Sequence, residues 1–355
     1  MPLPDLNADV LAVIVQHAAS SAEASGDSPT SRFSLRSATL RRLCLVNSLW
    51  RSVAQPELDR EVLVTPWMYQ AVWIAFKGRD EVRRRMVRRL EGVKKHDEGA
   101  LDSRTLDPII QLFDNLQELR CEGWRMSLNS LRRTKDLTSV TLIRPTLYAG
   151  ALELVLPCRL THLALSGGRK AQLEAVDFAA LARAGANNLV RLELGAFSGS
   201  QCPGLSSAIP SWLPTLRYLD LRSYVGLYKT EPDGNQYLEL LTHLHLCSDL
   251  EVLHLPISQF RYPLPLLSTP PALSSLRTLG LHPTTEVEWD DSVTWDEHLP
   301  NLIKVLEAGS LPQLEELHID QGRDLWSSGV GDFGGDLLLE VQELARAKGV
   351  RLHLR

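Results

Sequence analysis

The segment Leu216-Arg217-Tyr218-Leu219-Asp220-Leu221 decides the fold of this chain. Its leucines occupy the first, fourth and sixth positions, and the same apolar spacing (LxxLxL) recurs along the sequence. Clear copies begin at Leu116, Leu137, Leu160, Leu189, Leu250, Leu276 and Leu314, and weaker copies at Val87 and Gly349. One match means little in a chain with 66 leucines among 355 residues. Ten matches in series indicate a repeated structural unit.

Each repeat is interpreted as a short strand that is followed by a return segment. Side chains alternate along a strand, so the fourth and sixth residues of a repeat point to the same, inner side. Several return segments carry helix signals, an Asp near the start and a Pro at the first turn or a Gly at the end. The helices predicted in this way are Ile109–Phe113, Phe178–Ala184 and Leu337–Lys348. Alternating strands and helices predict an α/β fold with a parallel sheet.

Residues 61–355 resemble the leucine-rich-repeat family in its irregular, ribonuclease-inhibitor-like form. The resemblance implies a right-handed solenoid of about ten repeats, with a curved parallel sheet and helices outside. The asparagine that usually follows the strand is missing here, which leaves the repeat subclass open.

Residues 1–60 do not carry the repeat and predict a small all-α unit. Asp9 can cap a first helix. The apolar positions of this helix fall on one side, namely Val10, Leu11, Ile14 and Val15. A second apolar stretch, Leu40–Val46, leads into Trp50. The small and polar residues in between predict a long loop at 20–37.

The order Leu3-Pro4, amphipathic helix, then Leu43-x-x-Val46-x-x-x-Trp50 resembles an F-box of the kind common in fungal proteins that also carry leucine-rich repeats. The resemblance implies that the unit binds the adaptor of a cullin–RING (SCF-type) ubiquitin ligase and that the repeats bind a protein target. The adaptor-binding residues implied are Leu3, Pro4, Leu11, Ile14, Leu43, Val46 and Trp50. The alternative is a leucine-rich-repeat interaction scaffold with no ligase role. Exposure separates the two, because a receptor should present these side chains as an accessible apolar patch.

The third and fifth residues of each repeat point away from the leucine core, and we call this side of the sheet the polar strand face. In a solenoid this face is concave and is where partners bind. The target-binding residues predicted on it are His162, Arg191, Glu193, Tyr218, Asp220, His254, Glu316 and His318. Equivalent positions place Glu193 beside Asp220, with His254 next. We expect the two carboxylates to raise the pKa of His254 and to favour a cationic partner group.

A second contact is predicted in the longest repeat, where residues 286–297 hold six acids and two tryptophans. Acids steer a basic segment, and exposed indole rings hold its cations. The predicted contact residues are Glu288, Trp289, Asp290, Asp291 and Trp295. The alternative is an acidic surface insertion whose tryptophans pack against the solenoid.

The remaining features give no indication of an enzyme, a cofactor or a metal site. The chain lacks a nucleophile elbow, a phosphate loop and paired Cys/His ligand spacing, and Gly329-Val-Gly331-Asp-Phe-Gly334 lies too far from the preceding strand for a dinucleotide site. A net charge of −5 argues against a nucleic-acid binder. Five scattered cysteines suggest buried free thiols in a reducing compartment. We therefore expect a non-catalytic cytoplasmic or nuclear protein with no membrane partner.

Overall fold

A computed structural model of the chain describes residues 8–24, 29–78, 81–94, 104–148, 156–166, 175–195, 205–222, 243–257, 264–267, 273–283, 295–320 and 335–354. The chain divides into two compact units. The first comprises Met1–Met126 with Ser130–Leu137, and the second comprises Ser127–Asn129 with Thr138–Arg355.

The first unit combines helices with the first strands of the chain. Its described helices are α1 (Ala8–Ala24), α2 (Pro29–Cys44), α3 (Ser48–Asp59), α4 (Tyr69–Lys77), α5 (Glu81–Met86) and α6 (Asp107–Ile110). Its described strands are β1 (Glu61–Val64), β2 (Arg89–Val93), β3 (Glu118–Glu122) and β4 (Arg125–Met126). Strands β1, β2 and β3 pair in parallel.

Helices α1, α2 and α3 pack around a small apolar core. Val15, Ala19, Leu40 and Ala54 lie in it, and each is at most 1% exposed. The turn into α3 is closed by the Asn47 side chain, whose Oδ1 accepts a hydrogen bond from the first turn of the helix at 3.0 Å.

The predicted loop at 20–37 is wrong, because residues 20–24 belong to α1 and residues 29–37 belong to α2. Helix α1 continues through a run that contains Ala and Glu, both of which tolerate helix well, and Ala19 keeps it attached to the core. Pro29 suits the first turn of α2, where no backbone N–H is needed. Residues 20–24 and 29–37 therefore extend the two helices, and residues 25–28 lie outside the described residues.

The second unit contains the remaining strands and helices. Its described strands are β5 (Ser139–Ile143), β6 (Thr146–Leu147), β7 (His162–Ser166), β8 (Arg191–Leu194), β9 (Tyr218–Asp220), β10 (Val252–Ile257), β11 (Thr278–Pro283), β12 (Glu316–Ile319) and β13 (Arg351–Leu354). Its described α-helices are α7 (Ala175–Gly185), α8 (Leu205–Trp212), α9 (Leu264–Leu267), α10 (Trp295–Glu307) and α11 (Gly335–Ala347). Short 3-10 helices lie at Leu213–Thr215 and Leu244–Leu246, and a third, Leu128–Arg133, has residues in both units.

The repeat pattern is confirmed, because every predicted repeat supplies one strand that begins at its third residue. In the second unit the strands run in parallel in the order β5-β7-β8-β9-β10-β11-β12-β13. This unit is therefore an α/β structure whose long parallel sheet takes one strand from each copy of the leucine spacing. Strand β1 was not predicted, since the repeat that it would open begins with Asp59 and has no leucine there.

From β5 to β12, the sheet of the second unit buries its fourth and sixth repeat positions against helices. The fourth-position leucines of these strands are at most 1% exposed: Leu163, Leu192, Leu219, Leu253, Leu279 and Leu317. On β13, in contrast, Leu352 is partly buried and Leu354 is 39% exposed. Helix residues such as Phe178 and Trp212 are fully buried as well. The helix predicted at Phe178–Ala184 is confirmed within α7, and the helix predicted at Leu337–Lys348 is confirmed in α11 up to Ala347. The helix predicted at Ile109–Phe113 is wrong beyond Ile110, where α6 ends. None of the described helices has both the length and the apolar content to cross a lipid bilayer.

We predict that Leu11→Ala lowers the free energy of unfolding by about 2–5 kcal/mol, because it empties space around a fully buried side chain. Ile14, on the same helix but 40% exposed, is the matched control. Ile14→Ala should cost less than about 1 kcal/mol. Urea unfolding of the full chain measures the free energy of unfolding of both variants. Equal decreases would contradict the burial of Leu11 and the exposure of Ile14.

Candidate functional site on the polar strand face

The polar strand face of the second unit is ordered by the strand register. Fifth-position residues of neighbouring strands pair as Glu193, Asp220, His254, Gly280, His318 and His353 across β8 to β13. The predicted adjacency of Glu193, Asp220 and His254 is therefore confirmed. His162 does not join the row, since it pairs with Arg191 at the third position.

Arg191 links two neighbouring strands of this face. Its Nε donates a hydrogen bond to Oε1 of Glu193 at 2.6 Å, two residues along the same strand. Its guanidinium also lies over the ring of Tyr218 on the next strand, 3.9 Å from the centroid. This is a cation–π contact on a partly desolvated aromatic ring.

Asp220 is the buried acid of the face, 6% exposed. The Arg222 side chain donates to both of its carboxylate oxygens, with Nη2 at 2.6 Å from Oδ2, and the Arg222 backbone N–H donates to Oδ1 at 2.9 Å. The hydroxyl of Tyr218 donates to Oδ2 at 3.3 Å. Burial raises the pKa of Asp220, but the hydrogen bonds from Arg222 outweigh this effect and hold the pKa below its usual value.

The expected preference for a cationic partner does not follow from these acids. Glu193 and Asp220 are each paired with an arginine of their own strand segment, so the four side chains carry no net charge. Arg222 was missed because the sequence analysis stopped at the fifth position of each repeat. By the same alternation, the seventh position of a repeat also lies on this face.

His254 does not behave as predicted. Burial lowers the pKa of His254 to about 4, and the charge of Asp220 opposes this only in part. The charge of Arg222 then acts in the same direction as burial. The expectation of a raised pKa is wrong because it counted neighbouring acids and left out both desolvation and the arginine.

Four histidines line the end of the face. His282, another seventh-position residue, approaches His254 with Nε2 3.1 Å from its Nδ1. The His254 ring lies 6.5 Å from that of His318, which stacks on His353 at 4.5 Å between centroids. Gly280 makes this possible, because a methyl group at that position would overlap Nδ1 of His254 and come within 2.7 Å of His282.

The strand face of the first unit is an ion-pair network. Glu91 is 1% exposed and lies within 3.6 Å of Arg89 and 3.8 Å of Arg120. Arg89 also approaches Glu118 at 3.6 Å, and Arg120 approaches Glu122 at 3.2 Å. These charges bind one another, which gives this face a structural role.

The residues implied by the F-box resemblance have different environments. Leu11 is fully buried, and Leu43 and Trp50 pack in part against the core of the three helices. Ile14 and Val46 are exposed, at 40% and 56%. The expected accessible patch therefore does not include Leu11, which faces inward because it shares a helix side with Val15. Leu3 and Pro4 lie outside the described residues.

Most of the predicted acidic contact lies outside the described residues, namely Glu288, Trp289, Asp290 and Asp291. Trp295 is described and begins α10, where it is partly buried and its ring lies 6.3 Å from that of His298. It belongs to a helix and not to an exposed loop.

The cysteines described by the structure fit the predicted buried thiols. Cys44, Cys121, Cys158 and Cys247 are buried and form no disulfide. Burial raises the pKa of Cys121 and of Cys247 to about 12. Such thiols are protonated at neutral pH and are poor nucleophiles. Cys202 lies outside the described residues.

No protein-family model and no curated protein sequence matches this chain. Among solved structures, it is similar to the crystal structure of human 5T4 (Wnt-activated inhibitory factor 1, trophoblast glycoprotein). The similarity covers 68% of this chain and 69% of 5T4, with 17% sequence identity and a TM-score of 0.28. A likeness of this degree assigns no function.

We predict that Asp220→Asn lowers the free energy of unfolding by about 1.5–3 kcal/mol, because it weakens several charge-assisted hydrogen bonds at a buried carboxylate. The matched control is Glu193→Gln, which removes the charge from a largely solvated pair and should cost less than about 1 kcal/mol. Urea unfolding of both variants tests this. Similar small losses would show that the Asp220 pair is no stronger than a surface ion pair.

We also predict a pH effect from His254. An unfolded histidine takes up a proton near pH 6.5, whereas folded His254 does so only near pH 4. The contribution of His254 to the free energy of unfolding is therefore fully present above the ordinary pKa of 6.5, and it is lost as the pH falls from 6.5 to about 4. His254→Gln removes the titrating imidazole. The free energy of unfolding of this variant should therefore fall less between pH 7 and pH 4.5 than that of the parent. Parallel pH profiles would contradict the lowered pKa.

Proposed function

We propose that the chain is the substrate-recognition subunit of a cullin–RING (SCF-type) ubiquitin ligase, in which helices α1–α3 bind the adaptor and the polar strand face of the repeats binds a protein target. The observation that carries the adaptor half is an exposed apolar surface on these three helices, at the segments where the sequence resembles an F-box.

The apolar surface has two parts. Val10, Val13 and Ile14 follow helical spacing on the solvent side of α1, opposite the buried Leu11 and Val15. The second part is at the turn between α2 and α3 and consists of Leu45, Val46 and Leu49, of which Leu45 is 77% exposed. Exposed apolar side chains in such numbers mark interaction surfaces. The adaptor-facing set proposed here therefore replaces Leu11 with Val10 and Val13.

The target half rests on the arrangement of Arg191, Tyr218 and Arg222. Arg and Tyr are enriched among the residues that dominate protein interfaces. Here Arg191 and Arg222 are held in place by Glu193 and Asp220, so little side-chain entropy remains to be lost on binding. Their outer surfaces are accessible, since the Arg191 and Arg222 side chains are 42% and 45% exposed.

A second candidate is a repeat scaffold with no ligase role. The observation in its favour is that Leu43 and Trp50, which the resemblance assigns to adaptor binding, already pack against the unit's own core. Arg36 of α2 also bridges Glu57 of α3 and Glu61 of β1, at 3.5 and 3.0 Å, which ties the helices to the first strand. In a scaffold these helices would serve as the cap of the first strands.

We predict that the parent chain co-purifies with the adaptor, and that Ile14→Asp and Val46→Asp each reduce its affinity at least about 30-fold. This is the usual loss when an apolar anchor is removed from the centre of an interface. Both residues are exposed, so thermal stability should stay close to that of the parent. The matched control is Ile74→Asp on α4, 63% exposed, which should bind the adaptor normally.

Two outcomes would overturn this part of the proposal. One is a parent chain that does not bind the adaptor at all, which favours the scaffold. The other is unchanged adaptor binding by the Ile14 and Val46 variants, which would place the interface elsewhere.

A further inference from the structure

The last two strands of the chain bring together three side chains that can act as metal ligands. Strands β12 and β13 pair in parallel, with Glu316 opposite Arg351 and His318 opposite His353. Because side chains alternate along a strand, Glu316, His318 and His353 all lie on the polar strand face. The sequence shows no ligand spacing here, since 35 residues separate the two histidines and only the sheet register brings them together.

The distances suit a small cation. One ligand atom from each of Glu316, His318 and His353 lies within 4.8 Å of the other two. Metal–nitrogen and metal–oxygen bonds of 2.0–2.2 Å place tetrahedral ligand atoms about 3.4 Å apart. The backbones of β12 and β13 are already hydrogen-bonded to each other. Only small changes in side-chain torsion angles are therefore needed to bring the three ligand atoms from within 4.8 Å to about 3.4 Å of one another.

The polar atoms of this cluster are incompletely partnered. Nε2 of His353 is shielded from solvent and has no hydrogen-bond partner among the described residues. The contact of His318 Nε2 with Oε2 of Glu316 is long, at 3.3 Å. A shielded nitrogen without a partner is costly unless something binds it. In contrast, His254 and His282 already satisfy one another at 3.1 Å.

Arg351 positions the carboxylate of Glu316. Its Nη2 lies 2.6 Å from Oε1, which leaves Oε2 directed at His318. A hydrogen-bonded carboxylate with one oxygen committed and the other free is the usual arrangement around a metal ligand. The Arg351 side chain is 67% exposed, so solvent screens much of its repulsion toward a bound cation.

We propose that Glu316, His318 and His353 form a binding site for a divalent transition metal ion, with zinc as the reference ion. Two imidazoles and one carboxylate favour Zn²⁺, Co²⁺ or Ni²⁺ over Ca²⁺ or Mg²⁺, which prefer all-oxygen sites. Three protein ligands leave the fourth position for water or for a side chain of a binding partner. The metal would clamp β13 to β12. This proposal is independent of the ligase role.

Zinc titration by calorimetry tests the proposal, on full-length protein without a histidine tag. The parent should bind one Zn²⁺ per chain and gain thermal stability as zinc is added. His318→Ala and His353→Ala should each lose at least about tenfold in affinity, since even residues that only support a ligand cost that much. Glu316→Gln should also bind more weakly. His17→Ala, which removes an exposed histidine on α1, should bind like the parent.

The Co²⁺ spectrum provides a second readout. Nitrogen and oxygen ligation gives weak visible bands, whereas a cysteine ligand adds an intense near-ultraviolet charge-transfer band. The proposal expects the former. If an alanine variant does not fold without metal, His353→Gln and His318→Gln take its place. The proposal is overturned by a cysteine-type spectrum, by a parent that does not bind zinc, or by folded histidine variants that bind it as well as the parent.

Discussion

Burial of the leucines at the fourth and sixth positions of each repeat is the constraint on which the second unit depends. A single strand–return segment cannot hide its apolar side alone, so neighbouring repeats stack and bury one continuous row. Leu192, Leu219 and Leu253 on adjacent strands are fully buried for this reason. At about 25 cal/mol per Å² of apolar surface, a slip of one residue would cost each strand several kcal/mol by exposing these leucines. The register of the sheet follows from that penalty.

Once the leucines fix the register, the register determines which polar side chains are adjacent on the other face of the sheet. Glu193 must stand beside Asp220, although adjacent like charges destabilise a sheet. The protein compensates along the strand, two residues away on the same face: Arg191 pairs with Glu193, and Arg222 pairs with Asp220. The first unit uses the same device, where Arg120 pairs with Glu122. Charge pairing within a strand therefore permits a crowded polar face on a sheet whose register is set by apolar burial.

The histidine row shows a second consequence of the fixed register. His254 and His318 belong to strands that are not neighbours, and the strand between them carries Gly280 at the equivalent position. The missing side chain leaves room in which His254 meets His282. Burial among the neighbouring rings removes water from His254, and desolvation outweighs the nearby carboxylate in determining its pKa. A glycine therefore decides the chemistry of a residue on another strand.

The sequence by itself determined the period of the chain. The LxxLxL spacing predicts where the strands lie, that they are parallel, and that Glu193, Asp220 and His254 are adjacent, because strand alternation and apolar burial are local rules. The same rules do not predict burial, pKa or side-chain contacts that depend on residues far away in the sequence. Leu11 and Ile14 look alike in an amphipathic pattern, and only packing in the folded unit makes one buried and the other exposed. Likewise, the state of His254 and the meeting of Glu316, His318 and His353 depend on desolvation and on distances between strands far apart in the chain. Those quantities are properties of the folded sheet, and only the tertiary structure decided them.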